Sequence, residues 1–430
     1  MKFLQYKYLS QEQLKRLDTY KYAAIDTSPL SQYVMHPFWN YVVEFVPMNI
    51  APNVLTLAGF ACTLMNAILL SYYDYHFYAS SDDMRTIAKP VPSIIWLICA
   101  INLFLAHTLD GIDGKQARRT KATGPLGELM DHGVDSWTAV FVPMYVYSLF
   151  GSSDYSFGPH RMVFILWAVF LTFYVSHWEK YNTGVLYLPW SYDVSQIFLF
   201  GCSLATFFGS YKIWKSTFPL TGLPYSQAFE IVLYASIVLT LPMPVYNVYK
   251  TCKSGRSKYS TFTEIIRPLA PFSLLFVIST MWALCSRSDV LEKDPRMYFY
   301  TIGTIFSNIS CRLIICQMSS TRCEIFNGFC ILFSLVALAA VTTPFVASTE
   351  VLALRLLALT LTLAHLHYAV CVVQQMCDHF KIEALSLNRK ENDSSRQRLL
   401  VDGINTSSLG LHRPNDSQDK ISRTSSDQSS

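Results

Sequence analysis

Residues 110–135 read DGIDGKQARRTKATGPLGELMDHGVD, which sets four aspartates, Asp110, Asp113, Asp131 and Asp135, between two long apolar segments. On a helix, residues three or four apart share a face, so Asp110 points with Asp113 and Asp131 with Asp135. Two helices meeting here would bring four carboxylates together. Left alone such a cluster repels itself, whereas hard divalent cations such as Mg²⁺ or Mn²⁺ take oxygen ligands of this kind, and two ions are the simplest account. Gly111, Gly114, Ala117 and Gly127 are small enough for a ligand or a backbone to approach closely. Arg118 adds a planar fork suited to phosphate. Together these groups point to phosphoryl-type transfer on a diphosphate substrate. A polar loop of solvated charges is the plain alternative, and acidic pairs at helical spacing against membrane segments argue against it. His132, directly after a metal-ligand candidate, is a candidate general base. Asp135 is the second candidate, and a packing role for the histidine stays open.

The 51% apolar composition with 15% charge is that of a polytopic membrane protein rather than of soluble domains. About ten apolar stretches approach the ~20 residues needed to cross a bilayer: 54–73, 91–109, 136–151, 162–177, 194–211, 229–247, 268–285, 297–316, 324–346 and 350–377. The fold class expected is therefore all-α, a transmembrane helical bundle. Putting the N-terminus, the 110–135 stretch and every second connection on one side gives that side about three times the Lys and Arg of the other, which places the termini and the aspartates in the cytosol. The eleven cysteines fall mostly in apolar segments without a CxxC pair, so they read as small buried hydrophobes. A net charge of +4 follows from the basic cytosolic side and implies no nucleic acid. No cleavable signal peptide is visible in residues 1–50.

Three regions follow. Residues 1–50 carry aromatics among scattered charges without a spanning run and are expected along the cytosolic membrane surface; Lys21 and Tyr22 there serve packing more simply than substrate contact. Residues 51–377 form the membrane domain. Residues 378–430 turn to Ser, Asn, Asp, Lys and Arg and read as a disordered cytosolic tail. Within the spans Pro242 and Pro244 are expected to kink or end the sixth, and Arg312, Arg355, His365 and His367 are costly charges or polar groups with no partner visible in the sequence. After the fourth span, SHWEKYNTG places Glu179 among aromatics, a combination able to receive an ammonium headgroup or simply to sit at the membrane interface.

The pattern D-x2-D-G-x2-A-R-x8-G-x3-D-x3-D, from Asp110 to Asp135, matches at every specified position the signature of the CDP-alcohol phosphotransferases, and the chain is identified as resembling that family. The likeness extends through TYKYAAIDTSPL, HPFWN, APNVLT, SHWEKYNTG, QMSSTRC and LTLAHLHY, leaving only the tail outside it, and is greatest toward the ethanolamine-transferring branch. It implies Asp110, Asp113, Asp131 and Asp135 as metal ligands, and Asn53 at the nucleotide end of the substrate. Gly114, Ala117, Arg118 and Gly127 would line the substrate site, and His132 would act as the base. It further implies transfer of phosphoethanolamine from CDP-ethanolamine to diacylglycerol in the membrane of the endoplasmic reticulum or the Golgi, with the site facing the cytosol; a homodimer is compatible with this. The choline relatives carry an uncharged residue where Glu179 stands, which favours ethanolamine. A choline or dual-specificity transferase would use the same machinery. A cation transporter could also use an acidic cluster, yet leaves Arg118 and the small residues unexplained.

Overall fold

The structure, a computed structural model, describes residues 6–387 apart from 27, 82–87, 154, 189, 256, 260 and 344–348. The expected tail therefore lies outside the described residues from 388 onward. Each of the ten apolar stretches contains a helix among its described residues, and the only strands among the described residues are two of three residues each. In chain order the helices are α1 (Gln11–Leu17), α2 (His36–Val43), α3 (Pro52–Tyr73), α4 (Ser93–Arg119), α5 (Pro125–Phe150), α6 (Pro159–Thr183), α7 (Ser191–Gly209), α8 (Tyr225–Thr240), α9 (Pro242–Lys253), α10 (Phe262–Ile266), α11 (Leu269–Cys285), α12 (Val290–Lys293), α13 (Pro295–Ser319), α14 (Gly328–Thr342) and α15 (Glu350–Phe380). By length and composition six described segments could cross a membrane: α3, α4, α6, the α8–α9 pair, α13 and α15. Helices α11 and α14 are apolar but shorter. Pro242 stands at the α8–α9 junction, where its missing N–H costs least.

Helix α13 is the central post, 89% buried over its apolar window, and packs against α5, α6 and α15. Lipid supplies no hydrophobic drive between helices, so close approach depends on small residues. Gly303 provides it: a Cβ there would stand 2.4 Å from Val140 Cβ on α5. The polar residues of the apolar stretches that lacked partners in the sequence find them in the fold. Arg355 Nε meets Asp294 at 2.7 Å, Arg312 Nη1 meets Glu324 at 2.6 Å, His365 Nε2 lies 3.1 Å from Ser307 Oγ, and His367 Nδ1 lies 2.9 Å from the Tyr8 hydroxyl. All eleven cysteines are free thiols and most are buried.

The described part of residues 6–50 packs against the helical bundle. Helix α1 starts with a capping box, Ser10 Oγ accepting from Gln13 N–H while Gln13 Oε1 accepts from Ser10 N–H. It buries Leu14 and Leu17 in a cluster with Leu126 and Leu129 of α5 and Ile314 and Met318 of α13. Helix α2 lays Trp39 and Val43 against Leu55 and Ile112 of α3 and α4. Between them β1 (Ala24–Asp26) pairs in parallel with β2 (Leu186–Leu188), which follows α6 after its left-handed cap at Gly184. The N-terminal segment is thus tied to the aspartate-bearing ends of α4 and α5 and to the end of α6.

Candidate active site

The four aspartates stand inside helices, not in a loop. Helix α4 continues to Arg119, past the first pair, and α5 begins at Pro125, before the second. Pro125 at the first helical position starts α5 where an N–H would lack a partner anyway. The joint is fixed from outside: Gln116 Nε2 donates to the carbonyls of Pro47 and Ile50, and Arg119 Nη1 to Val46 O, at 3.0, 3.1 and 3.2 Å. Gly111 lets α4 meet α2, since a Cβ there would lie 2.2 Å from the Trp39 indole.

This geometry brings carboxylate oxygens of Asp110, Asp113 and Asp131 within 4.8 Å of one another, and ligand atoms of Asp131, His132 and Asp135 form a second such group. Asp131 belongs to both. Asp113 is buried and the other three aspartates half-buried, and among the described residues no Lys or Arg forms an ion pair with any of them. Like charges held this close in a poorly solvated place demand compensation. The four carboxylates, with Asp131 common to both groups, are an oxygen donor set that fits hard divalent cations. Hydroxyls from other helices orient two of the carboxylates: Thr56 Oγ1 donates to Asp113 Oδ2 at 2.5 Å, and the Tyr192 hydroxyl to Asp110 Oδ2 at 3.1 Å. Asp193 next to Tyr192 accepts from Ser31 Oγ and lies 2.7 Å from His107 Nε2, which pins α7 to α4.

His132 is buried. Its Nδ1 lies 3.8 Å from Asp131 Oδ2 and 3.9 Å from Asp135 Oδ2, too long for hydrogen bonds. Its Nε2 has no hydrogen-bond partner among the described residues. The His177 imidazole packs edge-on to it at 5.2 Å, and the Tyr22 ring lies 6.2 Å away. An imidazole nitrogen that is buried yet unbonded is free to meet a substrate proton.

The small residues and Arg118 lie beside the carboxylates. Arg118 is exposed, and its Nη1 is 3.8 Å from where a Cβ on Gly114 would stand; Ala117 is half-buried on the same helix. Gly127 opens toward Asn53 Oδ1, 3.7 Å from its own notional Cβ, and Asn53 Nδ2 donates to Ala384 O at 2.8 Å. A narrow pocket is lined by Asp110 and Asp135, by Tyr192 and Thr56, and by Phe60, Leu103 and Val142. It joins the acidic cluster to an apolar interior.

Glu179 departs from expectation. Two residues carry it about 200° around α6 from His177, and it faces α9, where Oε1 accepts from Asn247 Nδ2 at 2.7 Å. The carboxylate that does share the His132 face is Glu128, four residues earlier on α5. Its Oε1 accepts from Lys180 Nζ at 2.6 Å and its Oε2 from the Tyr20 hydroxyl at 2.5 Å. Sequence reasoning missed Thr56, Tyr192, His177 and the Glu128–Lys180 pair. Helical phase does put Lys180 on the face of His177, which precedes it by three residues on α6, but does not report partners on other helices.

Comparison with known proteins agrees with this geometry. The profile of the CDP-alcohol phosphatidyltransferase family matches residues 49–241, which hold all four aspartates. The proteins named Ethanolaminephosphotransferase 1 from Mus musculus and from Homo sapiens are each 42% identical over 388 residues, covering 90% of this chain and 96% of their own. Cholinephosphotransferase 1 from Rattus norvegicus is 30% identical over 322 residues, 73% of this chain and 76% of its own. Two acidic pairs on facing helix ends, embedded in apolar helices and matched in sequence nearly end to end, establish that the chain belongs to the CDP-alcohol phosphatidyltransferase family.

Proposed function

We propose that the protein transfers phosphoethanolamine from CDP-ethanolamine to the hydroxyl of 1,2-diacylglycerol, giving phosphatidylethanolamine and CMP. The single observation that carries the headgroup assignment is 42% identity, over nearly the whole of both chains, to proteins named for ethanolamine transfer, against 30% over a shorter span for one named for choline. The chemistry of the site supports the reaction class. Asp110, Asp113, Asp131 and Asp135 would hold two Mg²⁺ or Mn²⁺ ions, which would neutralise the diphosphate and stabilise the departing CMP. Arg118 would bind phosphate, Asn53 and Gly127 the nucleotide end, and Gly114 and Ala117 would leave room for it. His132 Nε2 takes the proton from the lipid hydroxyl as its oxygen attacks the phosphorus, with Asp135 as the alternative base. The apolar reach of the cavity suits an acceptor that never leaves the bilayer. In this reading the aspartates face the cytosol and the membrane is the endoplasmic reticulum, the basic side of the chain being the cytosolic one.

Purified protein offered CDP-ethanolamine and CDP-choline in competition, with diacylglycerol present, is expected to prefer CDP-ethanolamine. Equal use of the two donors would overturn the ethanolamine assignment and leave the transferase class standing. The shell around Asp110 gives a second expectation. Outer partners of metal ligands are worth about 10–100-fold in metal affinity, so Tyr192→Phe should weaken Mn²⁺ binding by about tenfold, read as a higher Mn²⁺ concentration for half-maximal thermal stabilisation. An unchanged midpoint would show that the Tyr192 hydroxyl does not orient the ligand.

A further inference from the structure

The face of α5 that bears His132 carries a second built site, one helical turn nearer the start of the helix. Glu128 and Lys180 keep only 4% and 2% of their side chains exposed. Around the Lys180 ammonium stand the Glu128 carboxylate at 2.6 Å, the Tyr22 ring at 4.4 Å from its centroid and the Tyr20 ring at 5.8 Å. The Tyr20 hydroxyl holds the other carboxylate oxygen. Burial and the neighbouring Glu128 push the Tyr20 phenol well above its ordinary range, so it remains a donor. A carboxylate and two aromatic faces around one –NH3⁺ are the groups that recognise a primary ammonium.

Stability is a poor explanation for this arrangement, because a buried ion pair rarely outperforms apolar residues of the same volume. Position is a better one. Tyr22 links the cage to His132, with ring centroids 6.2 Å apart, and His132 in turn adjoins Asp131 and Asp135. The ammonium of an ethanolamine headgroup is only two carbons from its phosphate oxygen, so its partner must lie next to the acidic cluster. Glu179, on the far face of α6, does not.

We propose that Tyr20, Tyr22 and Glu128 form the subsite for the primary ammonium of the nucleotide-activated amino alcohol, and that Lys180 fills this cage between turnovers. The inference rests on the reaction proposed above. Lysine suits such a placeholder because its ammonium ends a flexible four-carbon stem and can withdraw as the substrate ammonium arrives. A trimethylammonium has no N–H to donate, and its methyl groups hold the nitrogen away from a carboxylate that now sits at 2.6 Å from Nζ. The cage therefore selects ethanolamine over choline.

The test compares kcat/KM for CDP-ethanolamine and CDP-choline in the purified full chain with diacylglycerol. The double variant Glu128→Gln, Lys180→Met keeps the site neutral and is expected to lower the ethanolamine preference about tenfold, through a raised KM for CDP-ethanolamine and little change for CDP-choline. Lys180→Met alone removes the competitor, so KM for CDP-ethanolamine should fall and that donor should raise Tm more than it does in the parent. A preference unchanged in the double variant overturns the proposal. Tyr22→Leu leaves the buried pair intact and carries the same test should the pair variants fail to fold: a several-fold loss of preference supports the cage, and none overturns it. A parent protein that releases no CMP from either donor would instead sink the underlying reaction.

Discussion

Asp113→Asn is expected to lower CMP release by about a thousandfold or more while leaving the protein folded. Losing even an outer partner of a metal ligand costs about 10–100-fold in affinity or activity, and Asp113 is the buried member of the Asp110–Asp113–Asp131 group, with one oxygen already fixed by Thr56. The variant carries a second signature. Without metal the clustered carboxylates repel one another, so removing one charge should leave Tm in chelator equal to that of the parent or above it. What should vanish is the rise in Tm on adding Mn²⁺. Normal turnover, or an undiminished Mn²⁺ response, would show that Asp113 is no ligand.

His132→Ala is expected to fall in kcat by about 10²–10⁴-fold, the usual worth of a positioned general base, with KM for CDP-ethanolamine nearly unchanged because the group acts on the acceptor hydroxyl. Its Mn²⁺-dependent Tm rise should persist, in contrast to Asp113→Asn. This separates the two candidate bases. If Asp135 takes the proton, His132→Ala costs less than about tenfold, and the unbonded Nε2 of His132 serves only packing against His177.

The acidic cluster was legible because its logic is local. Spacings of three and four residues put each pair on one helical face, and both pairs sit within one short stretch whose flanks are apolar. Six of the spans were legible for a related reason: bilayer thickness sets their length, and six described helical segments are long and apolar enough to cross. What the sequence hid depends on contacts between helices. Tyr192 lies 82 residues from Asp110, Thr56 lies 57 from Asp113, and Lys180 lies 52 from Glu128. No periodicity within one segment reports such pairs. The two three-residue strands tying the N-terminal segment to α6 were hidden for the same reason. Glu179 is a different case. Its place among aromatics in SHWEKYNTG made it attractive for a headgroup, yet neighbours in sequence point to different sides of a helix. The phase of α6 sends His177 and Lys180 inward to α5 and turns Glu179 toward Asn247. The costly charges inside spans, Arg312 and Arg355, resolve into ion pairs with Glu324 and Asp294 and are absorbed by the fold.

If four aspartates hold metal for transfer of phosphoethanolamine to a lipid alcohol, both products must depend on that metal together. Purified protein is given CDP-ethanolamine and diacylglycerol in lipid–detergent micelles, then chelator, then Mn²⁺ in excess. CMP and phosphatidylethanolamine are expected to be released in equal amounts, both halted by chelator and both restored by Mn²⁺. Turnover that continues in chelator, or CMP released without the phospholipid, would contradict this.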